Sequence, residues 1–345
     1  MNKTVLVTGG TGYIGSWVVK GLLENGYTVR LTVRDKKKTS KFLHLQEIAQ
    51  NKPGMLEIHE ADLLLPQSFD DASSGCDAII HLASPFTLRF KDPKRDLLDP
   101  ALLGTRNVLD AASRSDTVKK VVLTSSVAAI YGDNADLHEQ GLIEFTEEHF
   151  NYSSSLHHQP YSYSKVCAEK EAWRIHNNQD KWKLVVINPS FVMGPSLSKH
   201  SDSESLVFMK GILKGKYQTG APDLLFGFVD VRDVAQAHLI ALESSDAEGR
   251  FIISAITAGM TDLAAIIKKL YGKKFKLPAM KAPKFILYLT GWMFGVTLKY
   301  VSRNVGHPLK FNNNKSIRVL GMTYTPFEIT VKDMVDQMLA MNMVN

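Results

Sequence analysis

Glycine spacing near the start of the chain constrains the fold more tightly than any other feature: Gly9-Gly10-Thr11-Gly12-Tyr13-Ile14-Gly15 sets Gly9, Gly12 and Gly15 at three-residue intervals. Residues 3–8 before it are a short apolar run suited to a buried strand, and residues 13–25 after it have the apolar spacing of a helix. Each glycine then has a mechanical reason. Gly9 makes the sharp turn out of the strand, Gly12 lets the backbone approach a pyrophosphate, and Gly15 lets the helix pack closely on the sheet. The helix N-terminus, with Tyr13 and Ile14 in its first turn, faces the anion. A glycine triplet alone is often a mere turn, but between a strand and a helix it predicts dinucleotide binding. A Walker-type phosphate loop is excluded, because no Gly-Lys-Ser/Thr follows to supply a lysine.

The alternation of strand and helix continues. Apolar runs at residues 28–33, 55–59, 78–82, 121–124 and 184–187 read as strands with helical intervals between them. Continuous apolar strands joined by helices imply a parallel sheet covered on both faces. The expected fold class is therefore α/β, with a doubly wound parallel sheet over residues 1–189. From Ser190 the alternation weakens, and loops around 194–205 with a helix-like stretch at 206–214 predict a smaller substrate-binding lobe over 190–345. The chain is expected to return to the main sheet near 226–229, because 231–243 again reads as a covering helix. That return segment, 226–243, would interleave the two lobes, for which 345 residues suffice.

The remaining composition excludes several classes. With 44% hydrophobic and 22% charged residues and no repeat, the chain is neither disordered nor a solenoid. Its net charge of +6 is densest at residues 34–41, which lack the interleaved aromatics of a nucleic-acid module, so an anionic cofactor explains the charge and no nucleic acid is expected. Cys76 and Cys167 cannot build a framework of bridges and show no metal spacing. No metal is expected, and with no signal peptide before the first strand the expected location is a reducing, cytoplasmic one. Residues 285–298 are the most apolar late stretch, too short for a membrane span and interrupted by Gly291 and Gly295. They read as a core or substrate-lobe helix, with a monotopic membrane contact as the other reading.

Cofactor choice is read at the end of the second strand, where an acidic residue against the ribose marks NAD. Here Arg34 follows Val33, and its guanidinium suits a 2′-phosphate in two parallel hydrogen bonds, with Lys41 adding charge. NADP(H) is preferred and NAD(H) is kept as the second choice, because Asp35 is also placed to accept from the ribose and the segment also reads as a solvated charged turn. Asp62-Leu63 after the third strand is placed for the adenine amino group, and His81-Leu82-Ala83-Ser84-Pro85 ends the fourth strand at the ligand crevice. His81 itself, preceded by apolar residues, reads as a packed core histidine.

The chemistry is expected from two further segments. Tyr161-Ser162-Tyr163-Ser164-Lys165 opens a helix, so Tyr161 and Lys165 share a face. A nearby cation favours phenolate; a shift of about 3 units corresponds to roughly 4 kcal/mol. Leu123-Thr124-Ser125-Ser126 ends the fifth strand, where the Ser126 hydroxyl is placed to bond a substrate oxygen as charge develops on it. Hydride would then reach a carbonyl carbon from the nicotinamide while Tyr161 gives the oxygen a proton. A tyrosine and lysine four apart also occur on ordinary amphipathic helices; the order of glycine loop, serines and Tyr/Lys pair favours catalysis. HExxH and GxSxG patterns for metal or nucleophilic hydrolysis are absent.

At these residues the chain resembles the extended short-chain dehydrogenase/reductases, most closely the dihydroflavonol reductase and cinnamoyl-CoA reductase-like branch. The resemblance covers nearly the whole chain and includes Val7 to Trp17, Gly26-Tyr27-Thr28-Val29-Arg30, Thr32-Val33-Arg34-Asp35, Asn188-Pro189-Ser190 and Val229-Asp230-Val231-Arg232-Asp233-Val234-Ala235. It implies a Rossmann lobe with a small C-terminal substrate lobe. Arg34 and Lys41 match the positions that contact the NADP phosphate, Pro189 and Ser190 would border the nicotinamide, and the third hydroxyl of the strand-end triplet, Ser126 rather than Ser125, would be catalytic. Thr124, Ser125, Ala83, Ser84 and Pro85 would line the cofactor, and Asp233 reads as a helix-capping residue.

Departures from the branch bear on substrate. Ile130-Tyr131-Gly132 stands where plant flavonoid reductases carry an asparagine, and His158-Gln159-Pro160-Tyr161-Ser162-Tyr163 replaces the Asn-Trp-Tyr-Cys-Tyr signature of cinnamoyl-CoA reductases. Phe86, Tyr131, Phe191, Phe208 and Tyr217 are candidates for an apolar, aromatic pocket, although aromatics more often serve the core. The expected function is reduction of an aldehyde or ketone, or its reverse, by a monomer or homodimer. An NAD-retaining nucleotide-sugar epimerase or dehydratase and a non-catalytic dinucleotide sensor are the alternatives.

Overall fold

The computed structural model of the chain describes residues 3–84, 90–198, 203–291 and 295–344. Its strands are β1 (Thr4–Thr8), β2 (Thr28–Val33), β3 (Met55–Glu60), β4 (Ala78–His81), β5 (Lys120–Thr124), β6 (Lys183–Pro189), β7 (Phe191–Met193), β8 (Ala221–Pro222), β9 (Leu225–Asp230), β10 (Gly249–Ile253), β11 (Ile256–Gly259) and β12 (Lys281–Ala282). Seven form one parallel sheet in the order β10-β6-β5-β4-β1-β2-β3. The chain builds outward from β1 through β2 to β3, then crosses back to β4 on the other side of β1. That reversal opens a crevice at the carboxyl ends of β1 and β4, where a doubly wound sheet binds ligands.

Strand side chains alternate between two apolar layers. Val5, Val7, Leu31, Ile80 and Ile187 face the layer under the helices Tyr13–Glu24 and Val231–Glu243. Leu6, Ile79, Val121, Leu123 and Val186 face the opposite layer, under Asp99–Arg114 and Pro160–His176. With both strand faces buried, the strands read as unbroken apolar runs.

The sequence reading placed the return to the main sheet at 226–229, and the structure places it one strand later. β9 pairs with β7 and β11 in a separate three-stranded sheet, whereas β10 pairs with β6 as the seventh strand of the main sheet. The physical reason is the third apolar cluster: Phe228 buries against Met193, Met209, Ile212, Leu263, Val331 and Met334 of the smaller lobe. The helix Val231–Glu243 then crosses back over β5 and β6. Within the described part of 285–298, the helix Lys284–Thr290 does not join the core: it has no buried residue, and Phe285 is 64% exposed. Among the described residues no helix is long and apolar enough to cross a membrane, and no group of three or more His, Cys, Asp or Glu could hold a metal ion.

Candidate active site

The three glycines divide by what fills the space around them. A Cβ on Gly9, whose φ is +70°, would lie 2.6 Å from Ala83 N, and one on Gly15 would lie 2.2 Å from Gly9 O. The chain's own packing therefore demands both. A Cβ on Gly12 would meet only Gly9 O, at 3.2 Å, so glycine there keeps the mouth of the helix open toward the crevice. Gly12 is the N-cap and accepts the first helical bond from Ser16 N, which leaves the N–H groups of Tyr13, Ile14 and Gly15 without a helical acceptor. The side chains of this turn point elsewhere. The Tyr13 hydroxyl donates to Gly194 O at 2.5 Å, Trp17 Nε1 donates to Pro195 O at 2.9 Å, and Ile14 packs on the core.

Arg34 follows β2, is exposed, and has no ion-pair partner among the described residues. Asp35, the residue that complicated the cofactor reading, is engaged locally: its Oδ1 accepts from Lys37 N at 2.9 Å and its Oδ2 lies 3.6 Å from Lys38 Nζ. Lys41 ends the short helix Thr39–Lys41 and is exposed. Asp62 spends one carboxylate oxygen on its own loop, accepting from Leu64 N at 2.8 Å, and Leu63 packs against Gly104 while its carbonyl accepts from Asn107.

At the ends of β4 and β5 the structure brings together His81, Ala83, Ser84, Thr124, Ser125, Lys165 and Glu169 around one cleft. His81 is buried and its Nδ1 lies 2.6 Å from Thr8 Oγ1, which ties β4 to β1. Burial first, then the Lys165 charge, depresses its pKa to about 3, so it stays neutral as a core histidine should. Ala83 N donates to Thr8 Oγ1 at 3.2 Å. Pro85 and Phe86 lie outside the described residues.

The strand-end hydroxyls have separate partners. Thr124 Oγ1 lies 2.6 Å from His238 Nε2 on the covering helix and is committed to that side chain. Ser125 Oγ donates to Glu169 Oε2 at 2.5 Å. Ser126 Oγ accepts from Ala128 N at 3.1 Å and hydrogen-bonds Tyr161. Burial raises the Tyr161 pKa well above 10, with the Ser126 bond opposing it. The expected lowering by Lys165 does not appear: burial sets the direction and only the Ser126 bond opposes it. Lys165 Nζ sits 5.9 Å from the Tyr161 ring centroid, and burial lowers its own pKa to about 8 while Glu169 holds it up.

Glu169 was not singled out from the sequence, although it stands four residues beyond Lys165 on the same helix face. It is 1% exposed, and besides Ser125 it accepts from Asn188 Nδ2 at 2.8 Å. Arg250 Nε of β10 lies 2.5 Å from Glu169 Oε1, an ion-pair distance, yet its N–H is not aimed for a hydrogen bond and Nη2 has no hydrogen-bond partner among the described residues. Asp133 was missed as well. Fully buried, it receives Arg303 Nε and Asn304 Nδ2, each at 2.6 Å, with His158 Nε2 2.8 Å away. Burial raises its pKa, but bonds from Asn304, His158 and Arg303 prevail and lower it. Gln159 Nε2 also donates to Asp133, at 2.6 Å, and Gln159 has the left-handed φ of 54° directly before the Tyr161 helix. The carboxylate thus clamps the loop that aims Tyr161 to the C-terminal lobe.

Pro189 ends β6, and Ser190 N donates to Ile253 O. Among the described residues the Ser190 hydroxyl and Asn188 Oδ1 are buried without a hydrogen-bond partner, one able to donate and accept and the other to accept from a ligand. The aromatic candidates separate into two groups. Tyr131 packs on Phe145 and Phe311, both at 5.3 Å, whereas Phe191 packs on Phe208 at 5.1 Å and, with Tyr217, joins the core of the smaller lobe. Tyr131, Phe191, Phe208 and Tyr217, the four described, do not form one continuous aromatic wall.

Comparison with known proteins places this geometry among relatives. Residues 5–254 match the model of the NAD dependent epimerase/dehydratase family. The chain is 34% identical over 343 residues to cinnamoyl-CoA reductase CAD2 of Medicago truncatula, covering 98% of this chain and 96% of that one. It is 38% identical over 273 residues to tetraketide alpha-pyrone reductase 2 of Arabidopsis thaliana, covering 77% and 82%. Among solved structures, Gre2 of Candida albicans in complex with NADPH superposes with a TM-score of 0.80 at 32% identity, covering 98% and 99% of the two chains.

Proposed function

From its membership of the NAD dependent epimerase/dehydratase family, in the branch of cinnamoyl-CoA, anthocyanidin and dihydroflavonol reductases, we propose that this chain is an NADPH-dependent reductase of an aldehyde or ketone. The observation that carries the reading is the Ser126–Tyr161 hydrogen bond with buried Lys165 beside it, at the sheet edge next to the glycine turn.

The residues present fit the cofactor. The open space at Gly12, the N–H groups of the first helical turn, and the orphaned Ser190 hydroxyl suit a pyrophosphate at one end and a carboxamide at the other. Arg34, exposed and with no ion-pair partner among the described residues, supports a 2′-phosphate, with Lys41 nearby in sequence. When bound, NADPH supplies the hydride to the carbonyl carbon. A tyrosine held neutral by burial is in the state a proton donor requires, so Tyr161 gives its proton to the substrate oxygen while the Ser126 hydroxyl bonds that oxygen. Lys165, with its pKa near 8, is mostly ammonium at pH 7 and stabilises the phenolate left behind. The relatives named for cinnamoyl-CoA and anthocyanidin, both aromatic, favour an aromatic substrate class.

Tyr161→Phe tests the assignment. It should lower kcat for NADPH oxidation across a panel of aldehydes and ketones by about a hundredfold or more. NADPH affinity, read from cofactor fluorescence, should hold. Undiminished turnover would remove Tyr161 as the donor, and protein purified with stoichiometric NAD but inert toward the panel would favour the epimerase reading.

A further inference from the structure

We infer that the helix Lys284–Thr290, together with the start of the helix Leu298–Asn304, forms a docking face for the anionic surface of a lipid bilayer. Two independent features meet there. The first is exposed apolar area: Met280, Phe285 and Leu298 are 60%, 64% and 63% exposed, and Ile286 and Tyr288 lie open beside them. The helices that carry Phe285 and Leu298 pack on each other, with Lys284 Nζ reaching across to Ser302 O at 3.1 Å, and no residue of Lys284–Thr290 is buried, so the apolar side chains of that helix stay open to solvent.

The second feature is charge. Between Asp262 and Glu328 the sequence has ten lysines and two arginines and no acidic residue, and this stretch lies beyond the 5–254 span of the family match. Arg303 is neutralised by Asp133, Asp136 and Glu139, and Lys281 pairs with Asp223 at 2.7 Å. Lys284 and Lys299 have no carboxylate partner among the described residues, and Lys273, Lys274 and Lys276 are exposed nearby in the chain. Exposed apolar side chains on the two helices that carry Lys284 and Lys299 suit a headgroup layer, where phosphates meet the cations and the rings enter the acyl boundary. A second copy of the chain suits this face poorly, since two-fold apposition would set the same lysines against each other. The helix has seven residues, a length of about 10 Å, so it would lie in the interface plane rather than span the bilayer.

The full chain should cosediment with vesicles of phosphatidylglycerol and phosphatidylcholine at low salt, be released at high salt, and ignore vesicles of phosphatidylcholine alone. Phe285→Ser with Ile286→Ser, and separately Lys284→Gln with Lys299→Gln, should each lower the bound fraction about tenfold. NADPH oxidation in solution should stay at the wild-type rate, which also certifies folding. No sedimentation with anionic vesicles, or sedimentation that both double variants retain, overturns the inference. A dimer in the ultracentrifuge that the serine variant abolishes, without vesicle binding, would also overturn it and assign the face to a second copy.

Discussion

Replacing Glu169 by glutamine perturbs the candidate site without touching Tyr161, Ser126 or Lys165. The side chain is 1% exposed and its carboxylate is shared by Ser125, Asn188 and the buried Arg250. Glutamine keeps the shape but removes the charge that Arg250 faces. Breaking a buried ion pair from one side costs about 3–5 kcal/mol. The lower end applies here, because Arg250 Nη1 still donates to Glu147 O at 2.7 Å and His149 O at 2.5 Å, and the guanidinium stays stacked 3.9 Å from the Phe150 ring. Urea unfolding at pH 7 should therefore show a loss of roughly 3 kcal/mol.

The kinetic consequence follows from Lys165, which burial lowers to about 8 and Glu169 holds up. A further fall of one unit, about 1.4 kcal/mol of lost attraction, would take the protonated fraction at pH 7 from about nine-tenths to about half. Reduction needs the ammonium, so its rate falls as pH rises through the Lys165 pKa, and in Glu169→Gln that descending limb should move from near 8 toward 7. Arg250→Met supplies the control: comparable destabilisation with the limb left near 8. A Glu169→Gln enzyme with unchanged stability and an unmoved limb refutes the coupling.

Other perturbations separate the parts of the site. Arg34→Ala should weaken NADPH binding about tenfold or more and leave NADH unchanged, measured by fluorescence titration; an unaltered ratio removes Arg34 from phosphate recognition. Gly15→Ala forces a Cβ to 2.2 Å from Gly9 O and should cost about 3 kcal/mol in thermal melts, whereas Gly12→Ala, with 3.2 Å to the same atom, should fold and lose cofactor affinity. Equal melting of the two would contradict the division of roles. Asp133→Asn removes the charge that Arg303 and His158 face and should cost about 3 kcal/mol in urea, with NADPH binding retained.

Several elements were legible because their causes are local. The glycine turn, the six strands up to β6 and the helix Val231–Glu243 follow from apolar period and turn chemistry within a dozen residues. Tyr161 and Lys165 share a helix face by spacing alone, and Ser126 hydrogen-bonds Tyr161. Other positions looked equivalent in sequence and are not. Thr124, Ser125 and Ser126 are consecutive hydroxyls, yet one binds His238, the next Glu169 and the last Tyr161. Asp62 satisfies its own loop, and the aromatic candidates divide between two clusters.

By itself the sequence determined the doubly wound sheet and the glycine turn that opens its first helix, since each depends on neighbours a few positions away. Only the tertiary structure decided which late strand closes the main sheet, and it alone brought Arg250 to Glu169 and Asn304 to Asp133 across 171 positions. Burial did the rest, because the cost of removing a charge from water depends on everything packed around it and on nothing that a short stretch of chain records.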